Sequence, residues 1–170
     1  YNRPDKTAEL WQDGWLHTGD KVRIDDDGFI FITGRVKDYF KTIQGKFVAP
    51  PPIEGRFADN PHSEQQCLLG RGYSKTVMVT VLNEPSRLLP KEEVEAAALA
   101  TVESINADIE KHARIGAIIF SQTPWTIENE ILTPTMKIRR EQIENTFGED
   151  AERLARDGAE QGAIQLHWFD

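Results

Sequence analysis

Four cations, Arg35, Lys37, Lys41 and Lys46, fall within a dozen residues that carry one acid, Asp38. Arginine offers a rigid fork of donors suited to phosphate or hydroxyl oxygens, whereas lysine offers a mobile point charge. Gly45 lies between Lys41 and Lys46 and permits a positive φ and close approach of a ligand. A solvated helix would space such charges at three and four without Gly34, Gly45 and the run Pro50-Pro51-Pro52. The stretch therefore reads as a cationic loop built to meet an anion. Taken alone, Arg35 and Lys37 fit a surface ion pair of small value equally well.

Two further groups could do related chemistry. In His17-Thr18-Gly19-Asp20, a carboxylate at a strand–turn boundary can accept two hydrogen bonds from a vicinal diol such as a ribose. By itself a Thr-Gly-Asp turn is most often only a turn. In Thr133-Pro134-Thr135-Met136-Lys137, a lysine on a proline-containing loop can place charge on a developing phosphoryl oxyanion. Without that context, Lys137-Ile138-Arg139-Arg140 is a basic helix start.

Secondary structure around these groups can be read from pattern. Asp13-Gly14 and Asp25-Asp26-Asp27-Gly28 predict hairpin turns, with short strands at Trp15-Leu16, Val22–Ile24 and Phe29–Ile32. Residues 10–33 form a β meander with too little apolar surface to stand alone. The proline run opens a short helix over 52–59, and strands are expected at 64–70 and 76–82. Pro90 precedes a helix over 91–113, whose Val94, Ala98, Val102, Ile105 and Ile109 share one stripe. A buried strand spans 115–120. A last helix, with Lys137 in its first turn, runs from Met136 to Phe147 and ends at Gly148. The acidic residues beyond predict a tail that is a solvated helix or a frayed end. The order gives an α+β fold: a small mixed sheet covered by helices, preceded by the meander.

Composition narrows the function. Twenty basic against 28 acidic residues give a net charge of −8, which counts against nucleic acid as a partner. Cys67 is the one cysteine, expected as a small buried hydrophobe in a reducing, cytoplasmic setting. No apolar run is long enough to span a membrane. Phosphate-loop, dinucleotide-fold and zinc-helix motifs are absent, and His17, His62, His112 and His167 are too scattered to suggest a metal site. The chain opens at Tyr1 in what reads as mid-protein sequence, so a fragment is expected.

Taken together, the three groups resemble the adenylate-forming superfamily of acyl-CoA synthetases, luciferase-like enzymes and peptide-synthetase adenylation domains. Asp13-Gly14-Trp15-Leu16-His17-Thr18-Gly19-Asp20 resembles its ribose motif, and Tyr1–Glu9 the segment before it. Gly34-Arg35-Val36-Lys37-Asp38, Lys41, Gly45, Val48, Pro50 and Ile53-Glu54 are similar to its hinge and the loop after it. Lys137 resembles its adenylation lysine. Gln44 stands where glycine is usual, one residue is added between Arg35 and Gly45, and Met136 replaces the common glycine before the lysine. These features are nearer the long-chain ligases.

The resemblance implies three segments: residues 1–34 as the end of a large N-terminal domain, 35–147 as a C-terminal lid, and 148–170 as the acidic tail. It implies that Asp20 and Arg35 bind nucleotide, Lys37 is the hinge, and Lys41 with Gly45 and Lys46 serves thioester formation. Lys137 would stabilise the α-phosphate during adenylation. ATP with Mg2+ would be held mainly by the missing large domain, and CoA would be the co-substrate. The fragment would be inactive by itself. The motifs quoted fit an enzyme that loads a carrier protein equally, and a non-catalytic interaction module is a third reading. Peripheral membrane association of the whole protein is compatible with all of this.

Overall fold

The computed structural model describes residues 2–169, and the chain divides into two compact units, one ending at Tyr39 and the other beginning at Phe40. The first unit opens with helix α1 (Pro4–Leu10), which the sequence pattern does not announce. Strands β1 (Trp11–Gln12) and β2 (Trp15–Leu16) pair antiparallel across Asp13-Gly14. Both turn residues have positive φ, 51° and 82°, the twist that suits a two-residue hairpin. Strands β3 (Asp20–Ile24) and β4 (Ile30–Arg35) form a second hairpin. Its turn is closed by Asp25, whose Oδ1 accepts from the amides of Asp27 and Phe29. The expected meander is thus two separate hairpins.

In the second unit, β5 (Phe40–Lys41) and β6 (Phe47–Val48) flank the cationic loop. The proline run occupies the first turn of helix α2 (Pro50–Phe57), where missing N–H groups cost no hydrogen bond. Next comes a four-stranded mixed sheet in the order β10-β9-β8-β7. It comprises β7 (Ser63–Leu69), β8 (Thr76–Leu82), β9 (Ile115–Ser121) and β10 (Gln165–Phe169). β7 runs antiparallel to β8, and the other pairs are parallel. Helix α3 (Lys91–Asp108) covers one face, joining Val94, Val102 and Ile105 to Met78 and Ile118. Helix α4 (Arg140–Gln161) covers the other, joining Ile143, Phe147 and Leu154 to Val77, Val79 and Ile119. With both faces covered, every residue of β8 and β9 is buried. Cys67 is buried in the α4-side core.

Several expectations need correction. The last helix starts at Arg140, not Met136, because residues 132–138 are held in a turn closed by the Leu132–Ile138 bridge. It does not end at Gly148, and residues 148–170 are not a solvated tail. Ile143, Phe147, Ala151, Leu154, Ala155 and Gly158 form one buried stripe, so the acids lie on the opposite face of a packed helix. Gly158 allows close packing: a Cβ there would lie 2.5 Å from the Gly116 carbonyl oxygen. The helix ends at Gly162, in the left-handed conformation with φ 67°, and β10 then joins the sheet. By its contacts the chain divides at Tyr39/Phe40, a few residues into the segment expected as the start of the lid. Arg35 pairs with Asp20 across the hairpin, Val36 donates to the Gly19 carbonyl, and Tyr39 lies under the Lys21 ammonium. These contacts hold 35–39 to the first unit. Helix α3 is shorter than expected, because the Asn106 side chain bonds both the N–H and the carbonyl of Ile115 and turns the chain back into β9. Among the described residues no helix is long and apolar enough to cross a membrane.

Candidate functional site

The first unit brings Asp20, Arg35 and Lys37 around one cleft. Hairpin register sets Asp20 directly opposite Arg35, and Arg35 Nε lies 3.2 Å from Asp20 Oδ1. Gly19, at φ 77°, makes the entry turn, and the Asp20 amide donates to Thr18 Oγ1 at 3.2 Å. Lys37 sits in a short 3-10 turn, Val36–Asp38. The cleft has a volume of about 610 Å³ and is lined by Glu9, His17, Thr18, Asp20, Arg35 and Lys37, among others. A hydrogen bond from Lys6 holds the Glu9 carboxyl below its usual range, with the charges of Lys6 and then Lys37 assisting. An exposed Arg–Asp pair adds little to stability, about 0–1 kcal/mol. Chemically the wall offers an acceptor for hydroxyls beside donors for phosphate.

The cationic loop of the second unit is a tight hairpin connection. Thr42 N–H donates to Lys46 at 2.9 Å and Gly45 N–H to Thr42 at 2.9 Å. Gly45 has φ 74° with no atom within 4 Å of a would-be Cβ, so backbone conformation, not crowding, calls for glycine. The Lys41 ammonium rests 4.8 Å above the Phe47 ring. The β7–β8 connection clasps this loop. Gly72 donates to the Lys41 carbonyl, Ile43 to the Tyr73 carbonyl, and the Gln44 side chain to the Ser74 carbonyl. That connection is tied in turn to α4, through Tyr73 hydroxyl to Gly148 carbonyl at 3.1 Å and Ser74 hydroxyl to Ala155 carbonyl at 2.9 Å. Burial pushes the Tyr73 phenol above its usual pKa, and the carboxylates of Glu144 and Glu152 add to the rise. Beside the loop lies an open cleft of about 610 Å³ lined by Gln44, Lys46, Ser74, Lys75, Lys111 and His112, among others. Its lysines suit a phosphate-bearing ligand.

Lys137 is exposed and lines neither cleft. It stands at the exit of a tight turn, three residues before α4, not in the helix itself. Its N–H donates to Thr133 Oγ1 at 3.0 Å, its carbonyl accepts from Thr133 N–H at 2.8 Å, and Met136 N–H donates to the Thr133 carbonyl. Met136 adopts φ 59°, a left-handed conformation that favours glycine. Here lies the physical meaning of the residue before the lysine: the turn asks for positive φ, and methionine supplies it under strain.

Sequence reasoning missed a partly buried ion pair. Arg140, the first residue of α4, donates through Nη2 to Glu54 Oε1 at 2.7 Å, and the two side chains are 18% and 17% exposed. Its only sequence signal is a carboxylate after Ile53 and an arginine opening a helix. Lys75, Lys111 and His112 were also missed, because two segments distant in sequence bring them beside Lys46.

Residues 37–157 match the family described as AMP-binding enzyme C-terminal domain. Long-chain-fatty-acid–CoA ligase 5 of Mus musculus is 31% identical over 163 residues, covering 85% of this chain and 24% of that protein. Carboxylic acid reductase of Mycobacterium tuberculosis is 29% identical over 173 residues, covering 98% of this chain and 15% of that protein. Among solved structures, the A-PCP didomain of carboxylic acid reductase from Segniliparus rugosus, in complex with AMP, superposes with a TM-score of 0.78. It is 27% identical, with 95% of this chain and 23% of that chain covered. The chain therefore spans about a quarter or less of the length of these proteins.

Proposed function

For this chain, which belongs to the AMP-binding enzyme C-terminal domain family, we propose a place in an ATP-dependent carboxylate–CoA ligase acting on long-chain or bulky acids. The observation that carries the reading is the position of Lys37. It lies in a short turn between the Asp20–Arg35 cleft and the division of the chain at Tyr39. A backbone rotation there would turn the residues after it, and the second unit with them, while Asp20 and Arg35 keep their pairing across the hairpin. Asp20 accepts the ribose hydroxyls of ATP and then of the acyl adenylate, while Arg35 donates to ribose or phosphate. Lys137 stabilises charge on the α-phosphate as the carboxylate attacks and pyrophosphate leaves. After rotation, Lys41 and the Gly45–Lys46 loop serve attack of the CoA thiol on the acyl carbonyl, which releases AMP.

Several features support this division of labour. The strained Met136 before Lys137 keeps the turn that the lysine occupies. The basic cleft beside Lys46 suits a small acceptor that carries phosphates. Trp15, Ile24, Phe29, Ile30 and Ile32 are exposed on the first unit, a surface suited to packing against the rest of a large domain. That domain would hold most of the ATP and Mg2+. A single buried cysteine fits a cytoplasmic setting. Loading of a carrier protein is the second reading, favoured by the likeness to the A-PCP didomain of carboxylic acid reductase.

The test separates the half-reactions in the full-length enzyme. Lys137→Ala lowers acyl-adenylate formation by about a hundredfold or more and leaves thioester formation from supplied acyl adenylate nearly unchanged. Lys41→Ala shows the opposite pattern. Equal loss in both half-reactions for either variant overturns its assignment. Turnover with a carrier protein and none with CoA selects the second reading.

A further inference from the structure

Lys137 is held by a turn that leads directly into α4, whose first residue, Arg140, pairs with Glu54. Glu54 Oε1 receives both Arg140 Nη2 and the Leu68 N–H, each at 2.7 Å. Arg140 also donates through Nη1 to the Leu68 carbonyl and reaches Cys67 Sγ at 3.0 Å. β7 is an edge strand of the sheet, and at Leu68 its outward N–H and C=O are both taken by this pair. Three elements are therefore locked at one point: α2 through Glu54, β7 through Leu68, and the start of α4 through Arg140. Among the described ion pairs none has both partners so enclosed. Shielding from water makes its geometry far stiffer than that of an exposed pair.

The turn attaches to this point through a short backbone path. Arg139 N–H donates to the Ile131 carbonyl at 2.8 Å, and Ile138 bridges Leu132. Ile131 and Leu132 are buried in the α4-side core. One side of the turn is thus fixed by the core, and the other by Arg140. Resting on the function proposed above, we infer that Glu54 and Arg140 are positioning residues for adenylation, setting where the Lys137 ammonium is presented. They touch no reacting atom. The pair joins α2, β7 and the start of α4, whereas the Lys41–Lys46 loop is clasped by Gly72, Tyr73 and Ser74. Its loss therefore falls on one half-reaction.

The experiment uses the full-length enzyme with Glu54→Gln, Arg140→Lys and the double variant Glu54→Gln/Arg140→Met. Removing both charges together avoids a buried unpaired ion, so the double variant keeps the question open to test if a single fails to fold. The expected result is a fall of about ten- to a hundredfold in kcat for acyl-adenylate formation, since small misplacements carry costs of that size. KM for ATP and thioester formation from supplied acyl adenylate stay within about twofold. Amide exchange at Lys137 and Arg139 rises about tenfold, while exchange in β8 and β9 is unchanged. Equal loss in both half-reactions, or unchanged adenylation and unchanged exchange at Lys137 and Arg139, overturns the inference. Lys137→Ala separates this outcome from a failure of the functional reading. If that variant adenylates normally, the lysine assignment falls. If it is crippled while the Glu54 and Arg140 variants are not, only the positioning role falls.

Discussion

The two units start from similar strands and reach opposite ends. Val22-Arg23-Ile24 and Ile30-Phe31-Ile32 are rich in β-forming residues, as is Thr76–Leu82, yet no described residue before Phe40 is buried, whereas β8 is buried throughout. The difference lies in the elements that come after each hairpin. Beyond β8 the chain supplies α3, then β9 and α4, so both sheet faces gain a helix. Beyond β4 it supplies a short turn and leaves. Propensity and turn chemistry are enough to draw a hairpin, but a second layer is needed to bury it. The Asp20–Arg35 cleft thus sits on the half without buried residues of its own, and the lysine loops on the half with a core.

Replacing one large side chain in each unit is the sharpest way to break this comparison. Phe147→Ala should cost about 3–5 kcal/mol of unfolding free energy in urea, as expected for a large buried side chain. Ile32→Ala, on the exposed hairpin, should cost less than about 1 kcal/mol. Comparable costs would mean that the first unit has a core of its own. A smaller effect is expected where the second unit ties its basic loop to α4. Tyr73→Phe removes one hydrogen bond and should cost about 1 kcal/mol near neutral pH. Because the folded state raises this phenol's pKa, the unfolded chain releases its proton first. The contribution of Tyr73 is therefore full below about pH 10 and shrinks as pH rises beyond it. Wild type and Tyr73→Phe should converge in stability on the alkaline side; a constant gap up to pH 11, about one unit above the ordinary range, would remove the assigned cause. The least change is expected for Met136→Gly. Glycine relieves the left-handed strain but adds freedom to the unfolded chain, so Met136→Gly should alter thermal stability by less than about 0.5–1 kcal/mol. Met136→Val, β-branched at positive φ, should cost about 1–3 kcal/mol. Equal behaviour of the two would refute strain at this turn.

Much of this was legible because the signals are local. Thr76–Leu82 and Ile115–Ser121 are unbroken runs of β-formers or small apolar residues, Pro90 marks the start of α3, and the Asp-Gly pairs mark the turns. The site motifs were legible for the same reason, each being a short stretch of special residues. Features that depend on distant partners could not be read. The second half of α4 turns its Ala151, Ala155 and Gly158 to the core, small residues whose apolar signal is outweighed by the acids around them. Strand β10 is specified by Trp168, which stacks on Phe120 at 4.8 Å and donates to Glu95 at 2.6 Å. Glu54 and Arg140 are 86 residues apart, and nothing near either announces the other.

The parallel pairing of β10 with β9 bears on how the sheet assembles in time. β7 and β8 are joined by a short connection and can meet early, while β10 can reach β9 only after all of α4 has been laid across the sheet. Closing that long loop comes before its contacts reward it, which makes docking of β10 a late and slow event. Until it happens, β9 is an open edge, and the rings of Phe120 and Phe147 lack their β10 partners Trp168 and Phe169. A chain caught at that stage carries a sticky, unpaired strand, so misassociation during refolding should be governed by the final turn of α4 and the five residues of β10.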